Sequence, residues 1–142
     1  MIAAAHTSEP THLVPEWEAG DADQLQFVDA TPVIVKHGGL RFLVVASYLT
    51  VGVGLQGNQS KLQQLAAIVT AYKLPWVIIG DWNCDPAELA QDEWLAYTKG
   101  VVLSPGGITC TSSEKGSLLD FAVCHPMLEP WLRVDTVHGV PW

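Results

Sequence analysis

Residues 76–83 read Trp-Val-Ile-Ile-Gly-Asp-Trp-Asn, and this stretch constrains the fold more than any other. A continuous run of large apolar side chains has no polar face to offer water, so it predicts a strand over Trp76–Gly80 covered on both faces. Pro75 stands directly before it and ends a helical pattern. Leu62, Leu65, Ala66, Ile68 and Val69 recur at helical spacing, with Lys61, Gln63 and Gln64 pointing outward. This predicts a helix over 59–73 with Asn58 as its N-cap. An amphipathic helix feeding a doubly covered strand implies a layered α/β domain.

Turn chemistry organises the remainder. His37-Gly38-Gly39 separates two β-rich runs, Pro32–His37 and Leu40–Leu49, and predicts a hairpin. Thr50–Gly57 holds Gly52, Gly54 and Gly57 and reads as a loop. Asp85-Pro86 opens a helix to about Tyr97, with Asp85 as the cap and Pro86 in the first turn. Val101–Leu103, Thr109–Thr111 and Leu118–Cys124 read as strands, Pro126–Pro130 as a turn or one helical turn, and Leu132–Val137 as a last strand. Residues 1–31 lack periodicity and form a loop-rich lead-in to a domain at 32–142.

Composition narrows the function. In 142 residues, 49% are hydrophobic, enough for one real core, and the formal charge is −8. The seven Lys and Arg stand singly, at 36, 41, 61, 73, 99, 115 and 133. Without a basic stripe, any grip on a nucleic-acid backbone must be local. Cys84, Cys110 and Cys124 form no CxxC pair and read as reduced thiols of an intracellular protein, cytoplasmic or nuclear. No secretory signal is expected from the N-terminal residues, and the apolar runs Phe42–Ala46 and Trp76–Ile79 are too short to span a bilayer.

Three places could carry chemistry. Asp81 and Asn83 follow the buried strand, where ligands collect in open α/β sheets, and an extended segment would put both on one side. A carboxylate can hold a metal or take a proton from water, and a carboxamide can donate to a phosphoryl oxygen without repelling it. The same residues also suit a polar turn that caps the next helix. Asp120 interrupts the apolar strand Leu118–Cys124 and, if buried and ionised, needs a partner such as a catalytic imidazole. A strand-edge carboxylate bonded to backbone amides is the plainer alternative. Tyr48 ends its strand beside the glycine loop, where a phenol could reach a phosphate or simply pack.

Taken in order, VVASYLTVGVGLQGNQSKLQQL, WVIIGDWN and TCTSSEKGSLLDFAV resemble three elements of the endonuclease/exonuclease/phosphatase superfamily. These are its tyrosine strand with loop and helix, its GDxN signature and its LD[YF] strand, and the resemblance covers roughly 32–137. It implies an α/β fold, a partial four-layer sandwich in which one mixed sheet with flanking helices is present and the partner sheet is largely missing. It implies metal-dependent phosphodiester hydrolysis with Mg²⁺, or Mn²⁺, as cofactor and a phosphodiester such as DNA as substrate. Asp81 becomes the base or water-positioning group near the metal, and a possible metal ligand. Asn83 and Tyr48 become phosphate contacts, and Asp120 the residue that holds a catalytic histidine.

The departures shape the expectation further. The family's metal-binding glutamate has no counterpart, because Glu9, Glu16 and Glu18 lie outside any apolar strand. His138 is a weak candidate for the catalytic histidine, His125 before Pro126 reads as a turn residue, and the family's histidine is expected beyond Trp142. Leu49-Thr50 replaces a common proline after Tyr48. The apolar end Val140-Pro141-Trp142 suggests a domain cut short. A half-domain that is weakly active or inactive alone is therefore expected, with an apolar sheet face open to association. A non-catalytic binding module of the same fold and a lipid or inositol phosphate phosphatase remain open alternatives.

Overall fold

The computed structural model describes residues 30–105 and 119–135 of the chain. β1 (Ala30–His37) and β2 (Leu40–Tyr48) form the expected antiparallel hairpin, with Lys36 paired to Arg41 and His37 to Leu40 beside the turn. Gly38 and Gly39 both take positive φ there, the backbone that a tight two-residue hairpin turn requires. A one-turn helix α1 (Gly54–Gly57) and the long helix α2 (Gln59–Tyr72) then lead to β3 (Trp76–Asp81), which lies parallel to β2. That geometry needs a crossover, and α2 supplies it. Two short helices follow, α3 (Pro86–Ala90) and α4 (Glu93–Thr98), then β4 (Val101–Leu103) and β5 (Asp120–Cys124). The mixed five-stranded sheet has the order β1-β2-β3-β5-β4, so β3 sits at its centre.

The two faces of the sheet are packed differently. On one, Leu43, Val45, Ile78 and Val123 are fully buried against Leu62 of α2, Leu89 of α3 and Trp94 of α4. The Trp94 indole N–H donates to the Leu62 carbonyl at 2.6 Å and ties α4 to α2. On the other, Val77, Ala122 and Cys124 pack with Leu128, while Phe42, Val44 and Ile79 are only partly buried. The apolar face expected to be open is therefore partly roofed: Leu128, Leu132 and Val134 from the segment after β5 lie on it.

Several expected elements shift. The helix from Pro86 to Tyr97 is two helices, because Asp92 accepts the Trp94 amide at 2.8 Å and starts a new N-terminus. Asp85 caps α3 as expected, accepting the Ala87 amide at 2.7 Å. Asn58 does not cap α2 with its side chain. The last strand is absent over 132–135, which follow a 3-10 turn at Glu129–Trp131 as irregular chain. The strand at Thr109–Thr111, the lead-in up to residue 29, and His138 lie outside the described residues.

Candidate active site

Three strands deliver their chemistry-bearing residues to one row. Tyr48 of β2 pairs with Asp81 of β3, and Asp81 pairs with Asp120 of β5. Directly paired residues in a sheet share a face, so the three side chains emerge together. The next row on that face is Ala46, Ile79 and Ala122, on the side away from the helices. The site therefore lies at the C-terminal ends of the parallel strands, on the rim of the less covered face.

Local packing holds this row in register. The Leu49 amide donates to the Asp81 carbonyl, and the Trp82 amide to the Leu119 carbonyl, both at 2.9 Å. Trp82 is buried beneath the row, stacks on Phe121 at 5.3 Å and donates its indole N–H to the Phe121 carbonyl at 3.0 Å. Gly80 is required by proximity: a Cβ there would overlap the Ser47 carbonyl of β2. The glycine of the GDxN tetrapeptide is thus what lets the two parallel strands close up beside Asp81.

Asn83 does not continue an extended segment beside Asp81. It takes a left-handed backbone with φ of 46°, a conformation that Asn tolerates better than most residues. Its amide donates to Asp81 Oδ1 at 3.0 Å, and its Nδ2 donates to the Leu49 carbonyl at 2.6 Å. The chain thus folds back over the end of β2. Partial burial raises the Asp81 carboxyl above its ordinary value, the Asn83 amide opposes that shift, and the charge of Asp120 adds to it. Such a carboxylate is a better proton acceptor than a fully solvated one.

Asp120 is not the buried carboxylate that its apolar context suggests. It is the first residue of β5 and exposed. Tyr48 is 46% exposed, with its ring at the surface. Two contributors were hidden in the sequence. Asn58, 2% exposed, turns back from the start of α2 to brace the glycine loop. It accepts the Thr50 amide at 2.8 Å and donates to the Thr50 and Gly54 carbonyls at 3.0 and 2.8 Å. Lys61 reaches from α2 to Tyr48. An asparagine after a glycine-rich loop was visible as a cap signal, but not its direction.

His125 lies at the far end of the sheet, where its amide donates to the Trp76 carbonyl and its ring meets Trp76 edge-on. It is not part of the row. Among the described residues, no group of three or more His, Cys, Asp or Glu could hold a metal. Mg²⁺ commonly takes only one or two carboxylates with waters and substrate oxygens, so the partly exposed Asp81 fits as a contributing ligand. Cys84 and Cys124 are buried, and burial pushes their thiols up to about 12 and about 11, so neither is poised as a nucleophile.

Solved structures with this topology point in one direction. The endonuclease domain of TRAS1, a telomere-specific non-LTR retrotransposon, superposes with a TM-score of 0.58 at 16% identity, over 72% of this chain and 52% of that one. A β-hairpin deletion mutant of beta toxin from Staphylococcus aureus gives 0.57 at 14% identity, over 80% and 51%. An endonuclease/exonuclease/phosphatase family protein from Leptotrichia buccalis gives 0.50 at 16% identity, over 67% and 40%. The chain has the endonuclease/exonuclease/phosphatase fold. It spans about half or less of the length of these structures. No protein-family model and no curated protein matches the sequence. The described residues supply one helix layer and one sheet of the endonuclease/exonuclease/phosphatase architecture, and no described helix is long and apolar enough to cross a membrane.

Proposed function

We propose that this chain carries the phosphate-handling half of a divalent-metal-dependent phosphodiester hydrolase acting on nucleic acid. The observation that supports it most is the Tyr48–Asp81–Asp120 row on one face, with Asn83 folded in beside it. The domain is taken as residues 32–142, and the remainder of a complete site, including a metal-binding glutamate and a histidine, would come from outside the described residues. The short coverage of longer relatives is consistent with that division.

In the proposed chemistry, Asp81 takes a proton from water as the water oxygen bonds to phosphorus in line with the ester oxygen that leaves. The phosphorus–oxygen bond opposite the water breaks, and the leaving oxygen acquires a proton from a general acid. Tyr48 donates to a phosphoryl oxygen, and Asn83 does so through the amide hydrogen not directed at Leu49. Asp120 sits where it could orient an imidazole. A bound Mg²⁺ or Mn²⁺, with Asp81 among its ligands, would neutralise charge on the phosphoryl oxygens.

The test is hydrolysis of bis-p-nitrophenyl phosphate and nicking of plasmid DNA by the full chain with Mg²⁺ or Mn²⁺. Turnover is expected, slow, and reduced about 100-fold or more in Asp81→Ala, the usual worth of a general base. Equal turnover in wild type and Asp81→Ala would refute the assignment.

A further inference from the structure

The carboxylates of Asp81 and Asp120 present negative charge to a substrate that is itself an anion, on a chain of formal charge −8. A fixed positive charge at this end of the sheet would help a bound metal to attract the phosphodiester. Six Lys and Arg fall among the described residues, and four of them, Lys36, Arg41, Lys73 and Lys99, sit at the opposite end. Lys36 and Arg41 face each other at the hairpin turn. Lys73 ends α2 shortly before β3 begins, and Lys99 ends α4 shortly before β4 begins. Arg133, in the segment after β5, is paired with Asp135 at 2.9 Å. Among these described cations, Lys61 is the one that contacts a residue of the row.

Its position has no explanation in the stability of its own helix. Lys61 lies in the first turn of α2, where the helix dipole favours acidic groups, and that turn has none. Instead its ammonium donates to the Tyr48 carbonyl at 3.2 Å and lies 5.4 Å from the centre of the Tyr48 ring. That contact places the ammonium beside the residue that opens the row. Lys61 as a whole is half-buried.

We propose that Lys61 is the anion-recruiting residue of this site: it positions Tyr48 and supplies the positive charge that draws a phosphodiester to the Asp81 row. The proposal rests on the phosphodiesterase reading and narrows it to charge-selective capture of the diester group, with little reading of the groups attached to it.

The experiment compares wild type, Lys61→Met and Lys61→Arg by two readouts. The first is affinity, in Ca²⁺, for a thymidine dinucleotide with its natural charged linkage and for the same dinucleotide with a neutral methylphosphonate linkage. The second is kcat and KM for bis-p-nitrophenyl phosphate in Mg²⁺. In Lys61→Met, Kd for the charged dinucleotide and KM should both rise roughly 10-fold, the scale of one charge-assisted contact. Affinity for the neutral analogue should fall clearly less than that for the charged one, since it loses only the brace on Tyr48, and Lys61→Arg should restore the charged-ligand affinity. Unchanged affinity for the charged dinucleotide, or an equal loss for both, overturns the proposal. Turnover abolished by Asp81→Ala with KM unmoved by Lys61→Met would leave the hydrolase reading standing and remove Lys61 from it. If the wild type neither binds nor cleaves the charged linkage, both fall.

Discussion

The two faces of this sheet do different work. The helix-covered face is sealed: Leu43, Val45, Ile78 and Val123 have no solvent contact, and Trp82 closes it beneath the site. The opposite face keeps Phe42, Val44 and Ile79 partly exposed, and its rim carries Tyr48, Asp81 and Asp120. Because β-strand side chains alternate, neighbours in the chain are assigned to opposite tasks. Gly80 and Trp82 belong to the packing that holds the row, while Asp81 between them faces the rim.

This contrast predicts unequal responses to truncation. Ile78→Ala on the sealed face should cost about 2–5 kcal/mol of stability, because a cavity opens that its neighbours cannot fill. Val44→Ala on the other face should cost about 1 kcal/mol, since less area leaves a less complete environment. Urea unfolding of the two variants measures both, and equal losses would mean that the faces are equally enclosed. Asn58→Ala should cost about 1–3 kcal/mol by leaving the Thr50 amide and two carbonyls without their partner. Hydrogen exchange should then accelerate over residues 50–57 and leave β3 protected.

The smallest effect is the one tied most closely to the rim. Burial and Asp120 raise Asp81 above its unfolded value, so the folded state holds that proton more tightly than the unfolded chain. The stabilising contribution is complete below the unfolded value of 3.8 and is lost as pH rises through the folded value. Above that window the ionised carboxylate works against folding. Asp81→Asn should therefore raise Tm at pH 7 and leave it unchanged at pH 3, by less than about 1 kcal/mol because the group is partly screened. A variant that lowers Tm at pH 7 would contradict this account of Asp81.

Much of the scaffold was legible in the residues. The periodicity of Leu62, Leu65 and Val69, the Gly38-Gly39 turn and the Asp85-Pro86 helix start each encode a local preference that tertiary contacts reinforce. What was not legible depended on distant partners. Asp92 could equally have been a solvated helix residue, and only its bond to the Trp94 amide breaks the helix there. Leu132-Arg133-Val134-Asp135 alternates like a strand, yet its apolar residues pack onto the sheet face and no strand forms. At the site, Asp81 and Asn83 were found by their motif, but the left-handed turn at Asn83 follows from its bond to Leu49, 34 positions away. Lys61 was read as an outward helix residue, because nothing local reveals that Tyr48 lies across from it.

Tyr48, Asp81 and Asp120 share one row with Asn83 beside it, and the proposed function makes these four a metal-assisted mouth at a single end of the sheet. A Mn²⁺ titration followed by paramagnetic broadening of backbone amide NMR signals tests it most directly. The account predicts that the amides of residues 48, 81, 83 and 120 broaden first, while those of Lys36, Arg41 and His125 persist. Broadening centred on Asp92 and Glu93, or on Glu129 and Asp135, with residues 81 and 120 untouched, would contradict it.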